Sequence, residues 1–276
     1  MGSIDAVAKA KGEIIEGLMD DGLQIINADD QFCTFWQELA EGKRQVTFGL
    51  NENADIYATY QANAKGSVMQ VFGIYGDFEV TLNVLGEHNV RNALAVIAAT
   101  IEMGASISDV QQGLMNYQPI TNRGGVHSFN SMLLIDDSYN ANPISMQAAF
   151  DSLTLFADDL KRKHAQVKTI IVLGSMAELG QQAKSLHQGV GLSAKNAADD
   201  LYCTGTFAKE YQQGFGDSAH DFDDRQSLLQ ALLASIESNS AFHLVLVKGS
   251  RSAGMEEIVK ALIEKQENTS DLEPGA

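Results

Sequence analysis

Four short apolar runs dominate the second half of the chain: MLLIDD (132–137), KTIIVLG (168–174), DLYCTG (200–205) and FHLVLVKG (242–249). Each centres on consecutive apolar residues, as MLLI, IIVL and LYC show, which suits a strand buried on both faces. Helical periodicity fills the gaps, near 145–157, 184–198, 224–236 and 253–265. Strand and helix in alternation predict right-handed βαβ units and a mainly parallel sheet, a Rossmann-like α/β domain covered on both sides. Ligands of such sheets sit at the carboxyl ends of the strands. DDSYNANPISM (136–146), GSMAELG (174–180) and KGSR (248–251) all fall there.

The grammar before about residue 123 is different. A helix from Ser3 to about Met19 precedes the apolar strand LQIINA (23–28), and a helix rich in Phe and Trp follows at 30–39. VTFGL, DIYATYQAN, SVMQVFGIY and DFEVTLNVL then read as strands by their alternation and β-branched or aromatic content. NVRNALAVIAATIEMG and ISDVQQGLMNY complete this part as helices. Two domains are expected, 1–122 and 123–276, which 276 residues are long enough to supply with separate cores.

Composition narrows the function classes. No apolar run approaches the roughly 18 residues of a membrane span, and no signal peptide is evident, so no membrane insertion is expected. Cys33 and Cys203 are too few and too far apart for a disulfide framework or a zinc site, which together with the above favours the cytoplasm. A net charge of −17 leaves no basic stripe for nucleic acid. A small anionic ligand needs only a few local cations or a helix N-terminus.

Several constellations could carry chemistry, each with a plainer alternative. Lys11 follows Val7 and Ala8 and precedes Ile14, Ile15 and Leu18 on an apolar stripe, so its ammonium either snorkels or is desolvated. A desolvated, neutral amine could take up carbon dioxide, giving a carbamate suited to Mg²⁺. Asn89 and Asn92 share one face at a helix start, as caps or as donor–acceptor pairs for a purine. In DDSYNANPISM, Asn140, Asn142 and Ser145 suit a turn that caps the next helix, whereas two adjacent acids suit a ligand loop. Arg123 in TNRGG could bind phosphate bidentately or serve a hinge. Lys248, Ser250 and Arg251, before a helix, form a possible anion seat. No G-x-x-x-x-G-K-[ST] loop and no G-x-G-x-x-G after a strand occurs.

Taken in order, AKAKGEI, INADD, GEHNVRNALA, NRGG, DDSYNANPISM, GSMAELG and KGSRSAGMEE resemble the central and C-terminal parts of the Mur ligase family of peptidoglycan-precursor ligases. DDSYNAN with KGSRSA points to the branch that adds D-alanyl-D-alanine to UDP-N-acetylmuramoyl-tripeptide. The resemblance implies ATP and Mg²⁺ as cofactors, an acyl phosphate on the tripeptide, and attack by the dipeptide amine. It also implies a soluble monomer. By the same resemblance Lys11 is the carbamylated lysine and metal ligand, Asn89 and Asn92 lie beside adenine, and Arg123 reaches the ATP phosphates. Asp137, Tyr139 and Asn140 line the nucleotide edge, and Asn142, Lys248, Ser250 and Arg251 meet the substrate. Ser175 stands where the family usually has aspartate. The family's phosphate loop and the metal-binding acid and histidine that precede this region are not in the sequence, so a fragment inactive on its own is expected. Other ligases of the superfamily, folylpolyglutamate synthase among them, and a non-catalytic nucleotide-binding remnant are the alternatives.

Overall fold

The computed structural model describes residues 4–63, 66–84, 86–117 and 125–270. The chain divides into two units, Met1–Gln118 and Pro119–Ala276.

The first unit contains helix α1 (Ile4–Glu16), strand β1 (Leu23–Asn27), α2 (Cys33–Leu39), β2 (Arg44–Gly49), β3 (Ile56–Asn63), β4 (Gly66–Gly73), β5 (Phe78–Leu82), α3 (Glu87–Glu102) and α4 (Ile107–Met115). Its sheet runs in chain order, β1-β2-β3-β4-β5. Neighbours are parallel from β1 to β3 and antiparallel from β3 to β5. The turn back at β4 requires Gly66, whose φ is +147° and where a Cβ would meet the Leu82 carbonyl oxygen at 1.9 Å. Helix α3 buries Val90, Ala93, Leu94, Ile97 and Ala98, an i, i+3, i+4, i+7, i+8 stripe. That stripe packs on Val46, Ile56, Met69, Val71 and Val80 of the sheet. Each fully buried Leu or Ile contributes about 1.5–3 kcal/mol of transfer free energy.

Helix α1 corrects one sequence expectation. Its buried face is Ala8, Gly12 and Ile15, whereas Ile4, Val7 and Ile14 are exposed. Small residues let α1 approach α2 closely: a Cβ on Gly12 would lie 2.7 Å from Leu39 Cδ1, and Trp36 Nε1 donates to the Ala8 carbonyl at 3.0 Å. Lys11 therefore lies off the packed face and is exposed rather than seated among buried apolar neighbours.

The second unit contains β6 (Gly125–Ser128), β7 (Met132–Asp137), α5 (Pro143–Lys161), β8 (Val167–Gly174), α6 (Ala183–Ala194), β9 (Asp200–Thr204), α7 (Ala208–Phe215), β10 (Ala219–Phe222), α8 (Arg225–Glu237), β11 (Phe242–Lys248) and α9 (Glu256–Ser270). The six strands are ordered β10-β9-β8-β11-β7-β6. All pairings are parallel except β6 with β7. One sheet face, with Met132, Leu134, Ile170, Val172, Val245 and Val247, packs on Leu228, Leu232 and Ile236 of α8 and on Ile258, Val259 and Leu262 of α9. The opposite face is covered by α5, with α6 and α7 beyond β8. Strand β11, inserted between β7 and β8, is buried from His243 to Lys248, which explains its unbroken apolar run. Sequence reading does not find β6, α7 or β10. Among the described residues no helix is long and apolar enough to cross a membrane.

Candidate functional sites

In the second unit the loops that follow β7, β8 and β11 meet at the carboxyl edge of the sheet. Register puts Lys248 opposite Asp137. The Lys248 ammonium, 2% exposed, donates to Asp137 Oδ2 at 2.5 Å and to the Asn140 carbonyl at 2.9 Å. The adjacent acid is used differently: Asp136, buried, accepts from the Ser138 backbone N–H at 3.2 Å and from its hydroxyl at 2.6 Å. The two consecutive carboxylates thus split, one tucked under the loop and one paired across strands.

Asn142 and Ser145 form a reciprocal capping box at the start of α5, with Pro143 at the first turn. The carboxamide oxygen of Asn142 is spent on that cap. Asn142→Ala is expected to lower stability by about 1 kcal/mol, read as a shift in the urea midpoint at unchanged m-value. Tyr139 is partly exposed, and the Arg251 guanidinium stands 5.6 Å from its ring centroid. Arg251 also lies 3.5 Å from Glu256 Oε1.

The structure corrects the expectation that Lys248, Ser250 and Arg251 together form an anion seat. Lys248 and Ser250 are buried and bonded inward, because β11 runs between two other strands. Ser250 Oγ accepts the Ala177 N–H at 2.6 Å, and its own N–H donates to the Ser175 carbonyl at 3.3 Å. Of the three, Arg251 alone is exposed. The glycines at the two strand ends permit this closeness: a Cβ on Gly249 would lie 3.2 Å from Gly174 Cα.

A polar cavity of about 680 Å³ opens beside these loops, lined by Ser175, Met176, Thr206, Arg225, Ser252 and Glu257 among others. Ser175 Oγ accepts the Phe207 N–H at 3.3 Å on its wall. Arg225 is held by Glu257 at 3.0 and 3.2 Å and donates to the Ala253 carbonyl.

The first unit has two grooves. One, about 430 Å³, lies between α1, β1 and α2, with Lys11 on its lip beside Val7, Asn27 and Phe32. The other, about 400 Å³, runs along α3 and α4. Its wall is largely apolar, with Leu82, Val96 and Leu114, and Asn89 and Asn92 lie on it with Tyr117. Helix α3 has Gly86, φ +95°, at its N-cap, so neither asparagine occupies the cap position itself. Arg123 lies outside the described residues.

Asp29, in INADD, is a residue whose role sequence reading leaves blank. Its carboxylate accepts the N–H groups of Leu50 at 2.9 Å and Asn51 at 3.3 Å, and the Arg91 guanidinium at 2.9 Å. Arg91 also pairs with Glu87. Partial burial pushes the Asp29 pKa up, but these hydrogen bonds and the Arg91 charge outweigh it and hold it below 3.8. Asp29 thereby ties the end of β1 to the end of β2 and to α3. The signal was Gly49, where a Cβ would lie 2.7 Å from Asp29 Oδ1. His187, which with GSMAELG resembles a functional loop in the sequence, is buried in α6 against that loop.

Comparison with known proteins follows this geometry. The family model "Mur ligase middle domain" matches residues 1–100, and "Mur ligase, glutamate ligase domain" matches 123–251. The UDP-N-acetylmuramoyl-tripeptide–D-alanyl-D-alanine ligase of Escherichia coli (strain K12) is 35% identical over 267 residues, covering 95% of this chain and 57% of that protein. Its counterpart in Haemophilus influenzae is 34% identical, at 96% and 56%. A crystal structure of MurF from Acinetobacter baumannii superposes with a TM-score of 0.83 at 29% identity, over 95% of this chain and 56% of that one. MurF from Thermotoga maritima in complex with ADP, 20% identical, shares the fold with a TM-score of 0.78 over 97% of this chain and 59% of that one. The chain spans a little over half the length of the relatives it matches. With both family models matched in order and the two folds present, this chain belongs to the Mur ligase family.

Proposed function

We propose that this chain supplies the adenine-side groove and the strand-end loops of an ATP-dependent ligase. That ligase joins D-alanyl-D-alanine to UDP-N-acetylmuramoyl-tripeptide in the cytoplasm, as a monomer. The observation that carries the reading is the placement of Asn89 and Asn92 on the wall of an apolar groove. A carboxamide offers a donor and an acceptor to the edge of a purine, while Leu82, Val96 and Leu114 suit its faces. The groove is of the size that small-molecule sites have, about 300–1,000 Å³. Relatives at 34–35% identity that carry the ligase name support the substrate pair.

ATP would supply a phosphoryl group that makes the tripeptide carboxylate a good acyl donor. The chain's own groups bind and orient. Asp137 pairs with the Lys248 ammonium, and its partly exposed edge can accept from ribose hydroxyls, with Tyr139 and Asn140 alongside. Arg251, over Tyr139, presents the exposed cation of this edge to an anionic substrate group. Arg123 is proposed to pair with phosphate. For Mg²⁺, Lys11 would serve as a ligand only after carbamylation. Among the described residues no three His, Cys, Asp or Glu side chains cluster as an alternative.

The test is titration of ADP into the ¹⁵N-labelled chain. Resonances of Asn89, Asn92, Ala93 and Val96 should move, GDP should move them less, and Asn92→Ala should weaken ADP binding by about tenfold, the loss of roughly one hydrogen bond. Equal response to ADP and GDP, or no response in the groove, would remove the adenine assignment.

A further inference from the structure

His187, fully buried within α6, is fixed on both ring nitrogens by backbone groups. The Met176 N–H donates to Nε2 at 2.9 Å, so Nε2 carries no proton. The ring's proton is therefore on Nδ1, which donates to the Ala183 carbonyl at 2.6 Å. The imidazole packs on Phe207, just before α7, at 4.4 Å and on Tyr211 of α7 at 4.8 Å between centroids. Tyr211 in turn donates its hydroxyl to the Gly174 carbonyl at 3.2 Å, the residue before the loop. The Met176 bond ties the ring to Ser175–Ala177, and the Phe207 N–H meets the same segment at Ser175 Oγ. Ser250 holds the same segment from β11 through Ala177 and Ser175. These three residues line the 680 Å³ cavity at the carboxyl edge of the sheet.

We propose that His187 is a positioning residue: its neutral Nδ1–H tautomer holds the Ser175–Ala177 backbone as a wall of that cavity, and a proton added to Nε2 releases it. Protonation from solvent would turn the acceptor into an N–H directed at the Met176 N–H, exchanging a hydrogen bond for a repulsive contact. Met176 N–H would then be left buried without an acceptor.

The charged and titratable surroundings are few. From α7, Glu210 favours the protonated ring, but Lys184 of α6 stands 3.8 Å from Glu210 and offsets it. Tyr211 stays neutral, pushed up by burial, and Cys203 of β9 beside it is likewise pushed up to about 12. Burial dominates at His187 and holds its pKa below the usual 6.5. The folded state thus binds the proton less readily than the unfolded one. The stabilisation is complete above 6.5 and is lost as pH falls through the lower folded value.

The experiment uses the full chain labelled with ¹⁵N. Two-bond proton–nitrogen correlation reads the tautomer of His187, and amide exchange at Met176 and Ala177 is followed from about pH 8 to pH 5, normalised to intrinsic rates. The expected results are the Nδ1–H tautomer at high pH and a loss of Met176 protection by at least about tenfold as the imidazolium appears, with Ile171 in mid-β8 nearly unchanged. His187→Gln can accept the same N–H but does not titrate, so protection should persist with no pH step. His187→Phe keeps a ring without an acceptor, so Met176 should exchange fast at every pH. An Nε2–H tautomer, or Met176 protection flat across the range in the unmodified chain, overturns the proposal. If His187→Phe fails to fold, the unmodified chain and His187→Gln still decide it. None of these readouts depends on which ligand the cavity takes.

Discussion

Asp137→Leu should cost about 3–5 kcal/mol of folding stability, among the largest losses available to a single side chain of the strand-end loops. The reason is the asymmetry of burial across the pair. The Lys248 side chain is 2% exposed and Asp137 is 26% exposed. Removing Asp137 strands an ammonium that water does not reach, which still donates to the Asn140 carbonyl. Removing the lysine strands a carboxylate that water can reach, so Lys248→Met should cost less, about 1–2 kcal/mol. The double variant Asp137→Leu with Lys248→Met should recover most of the loss, because two apolar side chains can fill the site without an unpaired charge. Urea unfolding of the three variants, followed by amide exchange on β7 and β11, tests the order. Lys248→Met proving the more damaging single change would contradict it. Both single changes should also loosen the DDSYNAN loop, since the lysine joins Asp137 to the Asn140 carbonyl.

Gly191→Ala should cost about 3 kcal/mol, at the upper end for overpacking, and Gly214→Ala a similar amount. Helices α6 and α7 touch through these two glycines. A Cβ on Gly191 would lie 2.2 Å from the Tyr211 carbonyl oxygen, and one on Gly214 would lie 2.1 Å from the Gln188 carbonyl oxygen. The obstacle in each case is backbone, which cannot turn aside as a flexible side chain can, so the helices must separate. Combining the two should cost less than their sum, because the first separation makes room for the second methyl. Thermal unfolding of the single and double variants reads this directly. Full additivity would mean that the helices do not move as rigid bodies. Separation would also weaken the ring contacts of Phe207 and Tyr211 on His187.

What the sequence revealed follows from how local each signal is. The runs MLLIDD, KTIIVLG and FHLVLVK are legible as buried parallel strands because both faces of each are apolar. The edge elements β6 and β10 are not, since GVHS and AHDF are four residues each and partly polar. Helix α7 is equally quiet: AKEYQQGF buries only Ala208, Tyr211 and Phe215. Lys11 was misjudged because a helix with two apolar faces can pack on either. Packing chose the face with Ala8 and Gly12, which allows the closest approach to α2. Lys248 was misjudged for a non-local reason. Its inward direction depends on register against Asp137, which lies 111 residues earlier in the chain. Asn142 could be read either way from its neighbours, and the capping box with Ser145 was the nearer partner. GSMAELG with His187 further on resembles a functional loop in the sequence, but the hydrogen bond from its backbone to the buried imidazole leaves no mark in composition or period.

The placement of β11 has a consequence for how the polypeptide is made. The strand at the middle of the second sheet is the last of the six in chain order, made after both of its flanking partners. Until translation passes residue 248, β7 and β8 have no hydrogen-bonded neighbour between them, and their apolar edges wait open. The first sheet, in which every strand pairs with its neighbour in sequence, can form while synthesis continues. Maturation of the second unit thereby waits on the synthesis of β11, and until then the open edges of β7 and β8 can be captured by chaperones or by another copy of the chain.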